Sequence, residues 1–145
     1  MSAVPTSIFT ARQRRYEQAI ADFNDWFLSG QRGGMTYNRV IQDCELLAAI
    51  DAHKTAMLDT PAITLADVAA KVETLYGGCE ILTDYSEPVD AAIEALRAGA
   101  ATKAREWLER FLSLVVADPD PAWEHDYSHG AVAALADLQR MEVAP

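Results

Sequence analysis

Two cysteines in a chain of 145 residues, Cys44 and Cys79, are too few to staple a fold. Each lies on an apolar stripe, so two buried thiols acting as small hydrophobes is the better reading than a disulfide. Basic residues are also scarce: 12 Lys/Arg stand against 22 Asp/Glu, a formal net charge of −10. That balance argues against nucleic acid as a direct ligand, because phosphate binding needs a basic face. No stretch approaches the ~20 apolar residues needed to span a bilayer, which excludes a membrane helix. The opening MSAVPTSIFTARQRR has no apolar run long enough for a secretory signal, so a cytoplasmic protein is expected. β-Branched runs and strand-length alternation are nearly missing while alanine is abundant, which favours helix over sheet. There is no repeat and no low-complexity segment. The motifs of nucleophilic catalysis are missing as well: no Gly-x-Ser-x-Gly elbow, and no cysteine with an evident histidine partner.

What is present is globular composition, half the residues hydrophobic and 23% charged. The length fits a single domain, residues 1–145, burying roughly 70% of the extended chain's surface.

The clearest local signal is Thr60 to Tyr76. Pro61 ends whatever precedes it, Thr64 offers a cap oxygen, and Asp67 stands three residues on, as in a capping box. Leu65, Val68, Ala69, Val72, Leu75 and Tyr76 then trace one apolar stripe of a helix, with Ala70 off it on a face expected to be solvated. A DNA-binding helix-turn-helix would need a polar and basic second helix after this one; Gly77 to Asp84 is neutral to acidic, so that motif is excluded.

Around it, Ser7 caps a first helix to about Ser29, striped by Ile8, Phe9, Tyr16, Ala19, Ile20, Phe23, Trp26 and Phe27. Arg12, Arg14 and Arg15 form the only dense basic cluster, at a helix start where arginine opposes the dipole. Gly30-Gln31-Arg32-Gly33-Gly34 stops the helix, and lacks the Lys-Ser/Thr and the preceding strand of a phosphate loop. Thr36 caps a second helix to about Asp59, striped by Val40, Ile41, Cys44, Leu47 and Ala48, with His53 and Lys54 outward. The third helix either stops near Gly77-Gly78 or runs through with a weak point there. Ser86-Glu87-Pro88 reads as the next start, with proline in the first turn. Val89, Ala92, Ile93 and Leu96 follow in register, and Gly99 either ends that helix or softens it, since Ala100, Ala104, Trp107, Leu108, Phe111, Leu112 and Val115 keep the phase. Asp118-Pro119-Asp120-Pro121 is a firm break, and a last helix spans about Ser128 to Met141. The fold is expected to be all-α, an irregular bundle of five or six helices.

The phrase TPAITLADVAAKV, Thr60 to Val72, resembles one that recurs in small all-helical proteins of unknown function from proteobacterial genomes and prophages. The resemblance covers thirteen residues. It implies a small all-α cytosolic protein of mobile-element type and carries over no functional residue.

Two features bear on function. His125 and His129, four apart with Asp126 beside them, are candidate ligands for a divalent metal, and through it for a helical enzyme acting on a small ligand. Against this, the segment holds a turn and a helix start, and Ser128 or Asp126 has a simpler task as a cap. No cofactor is expected. The second feature is charge: residues 1–60 hold six Lys/Arg and seven Asp/Glu, residues 61–145 six and fifteen. The leading expectation is a non-enzymatic protein–protein interaction module. It works through an acidic C-terminal half that meets a basic partner, with Glu106 and Glu109 as the candidate contact, or through self-association.

Overall fold

The computed structural model describes residues 7–30, 37–76, 83–117 and 121–143. Among them the fold is all-α: α1 (Ile8–Gly30), α2 (Tyr37–Leu58), α3 (Leu65–Glu73), α4 (Thr83–Arg97), α5 (Ala101–Val116) and α6 (Pro121–Val143), with no strand. A 3₁₀ turn, Thr74–Tyr76, closes α3. Contacts group the chain into two compact units, Met1–Thr60 and Pro61–Pro145.

The first unit is a hairpin of α1 and α2. Ser7 caps α1 by accepting from the Thr10 backbone N–H at 3.0 Å, as its sequence predicts. Phe9, Tyr16 and Ala19 are buried and Phe27 is exposed. The Tyr16 hydroxyl finds no hydrogen-bond partner among the described residues, and burial pushes its pKa above 10.0. At the open end, Arg12 Nη1 donates to Thr60 Oγ1 at 2.5 Å, and that hydroxyl donates to the Ala56 carbonyl at 2.7 Å.

For α2 the sequence reading is overturned. The stripe expected inside faces out: Ile41, Cys44, Leu47 and Ala48 are all exposed, and Val40's side chain lies outside the described residues. The sheltered positions include Arg39, Asp43, Leu46, Ile50, His53 and, at the end of the helix, Met57 and Leu58. The physical reason is that α2 has apolar side chains on two sides, so periodicity alone cannot choose between them. Polar contacts to Trp26 choose: its indole donates to Gln42 Oε1 at 3.1 Å, and the Arg39 guanidinium lies 4.6 Å from its ring centroid. Cys44 is therefore a free, exposed thiol; Cys79 lies outside the described residues, as do Thr36 and the Gly77-Gly78 question.

In the second unit each helix touches two neighbours, α3 with α4, α4 with α5, α5 with α6 and α6 with α3, a closed ring around one core. Val68, Val72, Val89, Ala92, Leu96, Leu108, Phe111, Ala131, Ala134 and Leu138 fill it. The Thr64 capping box forms as read: the Asp67 N–H reaches Thr64 Oγ1, and Asp67 Oδ2 accepts from the Thr64 N–H, both at 3.2 Å. Flanked by α4 and α6, α3 is buried on every side from Val68 to Val72. Ala70, expected on a solvated face, is 8% exposed.

Two boundaries differ from the sequence reading, and one that it left open, at Gly99, is decided. α4 begins at Thr83, which puts Ser86 inside the helix and Pro88 sixth in it. Pro88 removes one N–H from the ladder. Burial of Val89, Ala92 and Ile93 just beyond it outweighs that loss, since packing supplies most helix stability. At the other end Gly99, at φ +78°, stops α4 outright. Its N–H bonds the Leu96 carbonyl at 3.1 Å and the Ala100 N–H bonds Ala95 at 2.8 Å, the paired closure that a left-handed residue permits. Finally, α6 begins at Pro121, seven residues before the expected Ser128. A proline at the first helical position explains it, because its missing N–H would be unpaired there anyway.

Gly130 is where α6 comes closest to α3. A Cβ there would stand 2.9 Å from the Lys71 carbonyl oxygen and 2.8 Å from Thr74 Oγ1. Gly→Ala inside a helix ordinarily stabilises by about 0.5–1 kcal/mol. Here the sign should reverse, with Gly130→Ala destabilising by about 1–3 kcal/mol through overpacking. Urea midpoints of the two proteins check this, and a more stable variant would mean the helices are free to part.

Candidate interaction surfaces

The two carboxylates singled out from sequence lie on α5. Its buried face is Ala104, Leu108, Phe111 and Val115, spaced by four, three and four; Glu106 and Glu109 are exposed. They do not make an acidic surface. Glu109 Oε1 is 3.9 Å from Arg105 Nε, whose Nη1 also bonds Glu142 Oε2 at 2.7 Å. Arg110 lies over the Trp107 ring, 5.4 Å from its centroid. With Lys103 exposed in the first turn, the basic side chains on α5 outnumber the acidic ones.

The acidic excess sits elsewhere. On α4, Glu87, Asp90 and Glu94 are all exposed, at spacings of three and four that put them in one row. Opposite them Val89, Ala92, Ile93 and Leu96 are buried. One turn beyond the row, Arg97 pairs with Glu73 on α3 rather than with these acids. The row was legible in the sequence, since Glu87, Asp90 and Glu94 keep helical spacing whether the helix starts at Thr83 or at Ser86.

His125, Asp126 and His129 all fall within α6, so the two histidines do stand four apart on a continuous helix. The side chains of His125 and Asp126 lie outside the described residues. His129 is half-buried. Among the described residues no three His, Cys, Asp or Glu side chains converge as metal ligands.

The feature that sequence reasoning missed is a buried ion pair. Lys71 Nζ stands 2.5 Å from Asp137 Oδ2, with side chains 2% and 7% exposed. Arg140 Nη2 lies 3.1 Å from Asp137 Oδ1 and donates to the Ala62 carbonyl at 2.5 Å. The network ties the end of α6 to the lead-in and middle of α3. A signal was available: Lys71 stands three residues after Val68 and four before Leu75, and Asp137 adjoins Leu138 between Ala134 and Met141. Charges set into helical stripes on two helices are each other's natural partners.

In the first unit, an open cleft of about 350 Å³ lies between the helices, lined by Arg15, Gln18, Ala19, Asp22, Leu46, Ala49 and His53. His53, expected outward, is half-buried there. No helix among the described residues is long and apolar enough to cross a membrane. No family model, curated protein or solved structure matches the chain.

Proposed function

We propose that the protein is a non-enzymatic helical interaction module of the cytoplasm whose second unit meets a basic protein partner through α4. The observation that supports this is the exposed row Glu87, Asp90 and Glu94, set on a helix whose opposite face is fixed in the core. A rigid row of like charge steers encounter with a basic segment and raises the association rate more than the final affinity. On α5 the charges cancel locally, so Glu106 and Glu109 contribute little. Pull-down from the native host tests this with three baits. Glu87→Lys/Glu94→Lys should lose the partners that the wild type captures, while Glu106→Lys/Glu109→Lys keeps them. For a captured partner, association should slow as salt rises, because exposed charges are screened over about 8 Å at physiological ionic strength. Equal capture by all three baits, or a rate indifferent to salt, overturns the proposal.

A further inference from the structure

Of the basic cluster of α1, Arg15 lines the cleft described above. Arg12 bonds Thr60 within the hairpin, but Arg14 and Arg15 are exposed and make no ion pair among the described residues. Two turns further along the same face are Asp22 and Asp25, also exposed. Asp25 has no ion-pair partner among the described residues, and Asp22 takes only the Gln18 amide, at 2.8 Å. The exposed side of α1 that borders the cleft is thus basic in its first half and acidic in its second, with Gln18 at the changeover.

We propose that this face is the contact of a symmetric homodimer, α1 packing antiparallel on α1 of a second copy with the two-fold axis at Gln18. Under such an axis, residues equally distant from Gln18 meet. Arg15 then comes opposite Asp22 of the other copy, within about one 1.5 Å residue rise, and Arg14 comes within reach of Asp25. Each pair occurs twice, because the interface uses the same patch on both copies. Ala11 and Ala21, both exposed on this face, leave room for the helix axes to approach. Ile8 and Leu28, 67% and 65% exposed at the two ends of α1, are brought to the same end of the pair. A foreign basic segment would match only the acidic half and an acidic one only the basic half. A second copy matches both at once.

The area sets the strength. A helix of 23 residues is about 35 Å long; a contact strip about 10 Å wide gives roughly 350 Å² per copy and 700 Å² in all, under the ~1,200 Å² of stable interfaces. The dimer is therefore weak, and its population follows concentration and salt.

The test is analytical ultracentrifugation of the full chain from low-micromolar to near-millimolar concentration. Wild type should show a reversible monomer–dimer equilibrium whose dissociation constant rises about tenfold between low and high salt. Arg14→Glu/Arg15→Glu makes the face wholly acidic and Asp22→Arg/Asp25→Arg makes it wholly basic, so each should be monomeric throughout. Mixed one to one they should form a heterodimer, which a variant that had merely failed to fold could not do. A wild type monomeric at every concentration, a dimer indifferent to both reversals, or a mixture that stays monomeric overturns the proposal. The contact is separate from the α4 row, so Arg14→Glu/Arg15→Glu should capture the same host partners as wild type, and loss of the α4 partner leaves the dimer intact.

Discussion

Replacing Lys71 by methionine should destabilise the protein by about 3–5 kcal/mol, although methionine is apolar and of similar length. The side chain is 2% exposed and Asp137 is 7% exposed, so the variant leaves a carboxylate inside the core without its ammonium. Arg140 remains near Asp137, but its own side chain is 49% exposed and it also serves the Ala62 carbonyl. It compensates in part, which places the expectation toward the lower end of the range. The double variant Lys71→Met/Asp137→Leu should return to within about 1 kcal/mol of wild type or exceed it, because neither charge then has to be desolvated. Urea unfolding of the single and double variants measures this. A single variant as stable as wild type would show that water reaches the pair.

The second large effect is on the neighbouring residues of α3. Val72 is fully buried, and Val72→Asp should cost several kcal/mol by placing an unpaired carboxylate in the core. Ala70→Asp should also be severe, because the helix has no solvated side there: Ala70 is 8% exposed. Ala66, exposed in the first turn, supplies the contrast. Ala66→Asp should change stability by about 0.5 kcal/mol or less and in the favourable direction, since a carboxylate near a helix start complements the dipole. Melting temperatures rank the three: an Ala70→Asp protein melting with Ala66→Asp would put the solvated side of α3 where the apolar stripe alone suggests.

That contrast shows where sequence suffices. The Thr64 box, the Ser7 cap and the stripes of α3, α4 and α5 are local, each fixed by side chains within about one turn, and they are legible. Whether a helix has one partner or two is not local. The three apolar residues on the main stripe of α3 from Val68 onward say nothing of α6 lying against Lys71, so burial all round was invisible. α2 fails in the opposite way: it offers two apolar sides, and the choice rests on Trp26, a contact made across the hairpin. Of the candidate surfaces, the total charge was legible but not its distribution. Arg105 on α5 pairs with Glu109 of the cluster that looked acidic, while the row on α4 was overlooked although its spacing is helical from either start.

The ring of helices in the second unit has a consequence for the order of events on the ribosome. One of its helices, α3, precedes the other three in the chain, and the carboxylate that answers Lys71 belongs to α6, the fourth of them. Until α6 has been made, Asp137 is not there to answer Lys71, and the ammonium stays hydrated. Before then, burying Lys71 among α3, α4 and α5 alone would leave an unpaired charge in the core, so the ion pair makes α6 a condition of closing it.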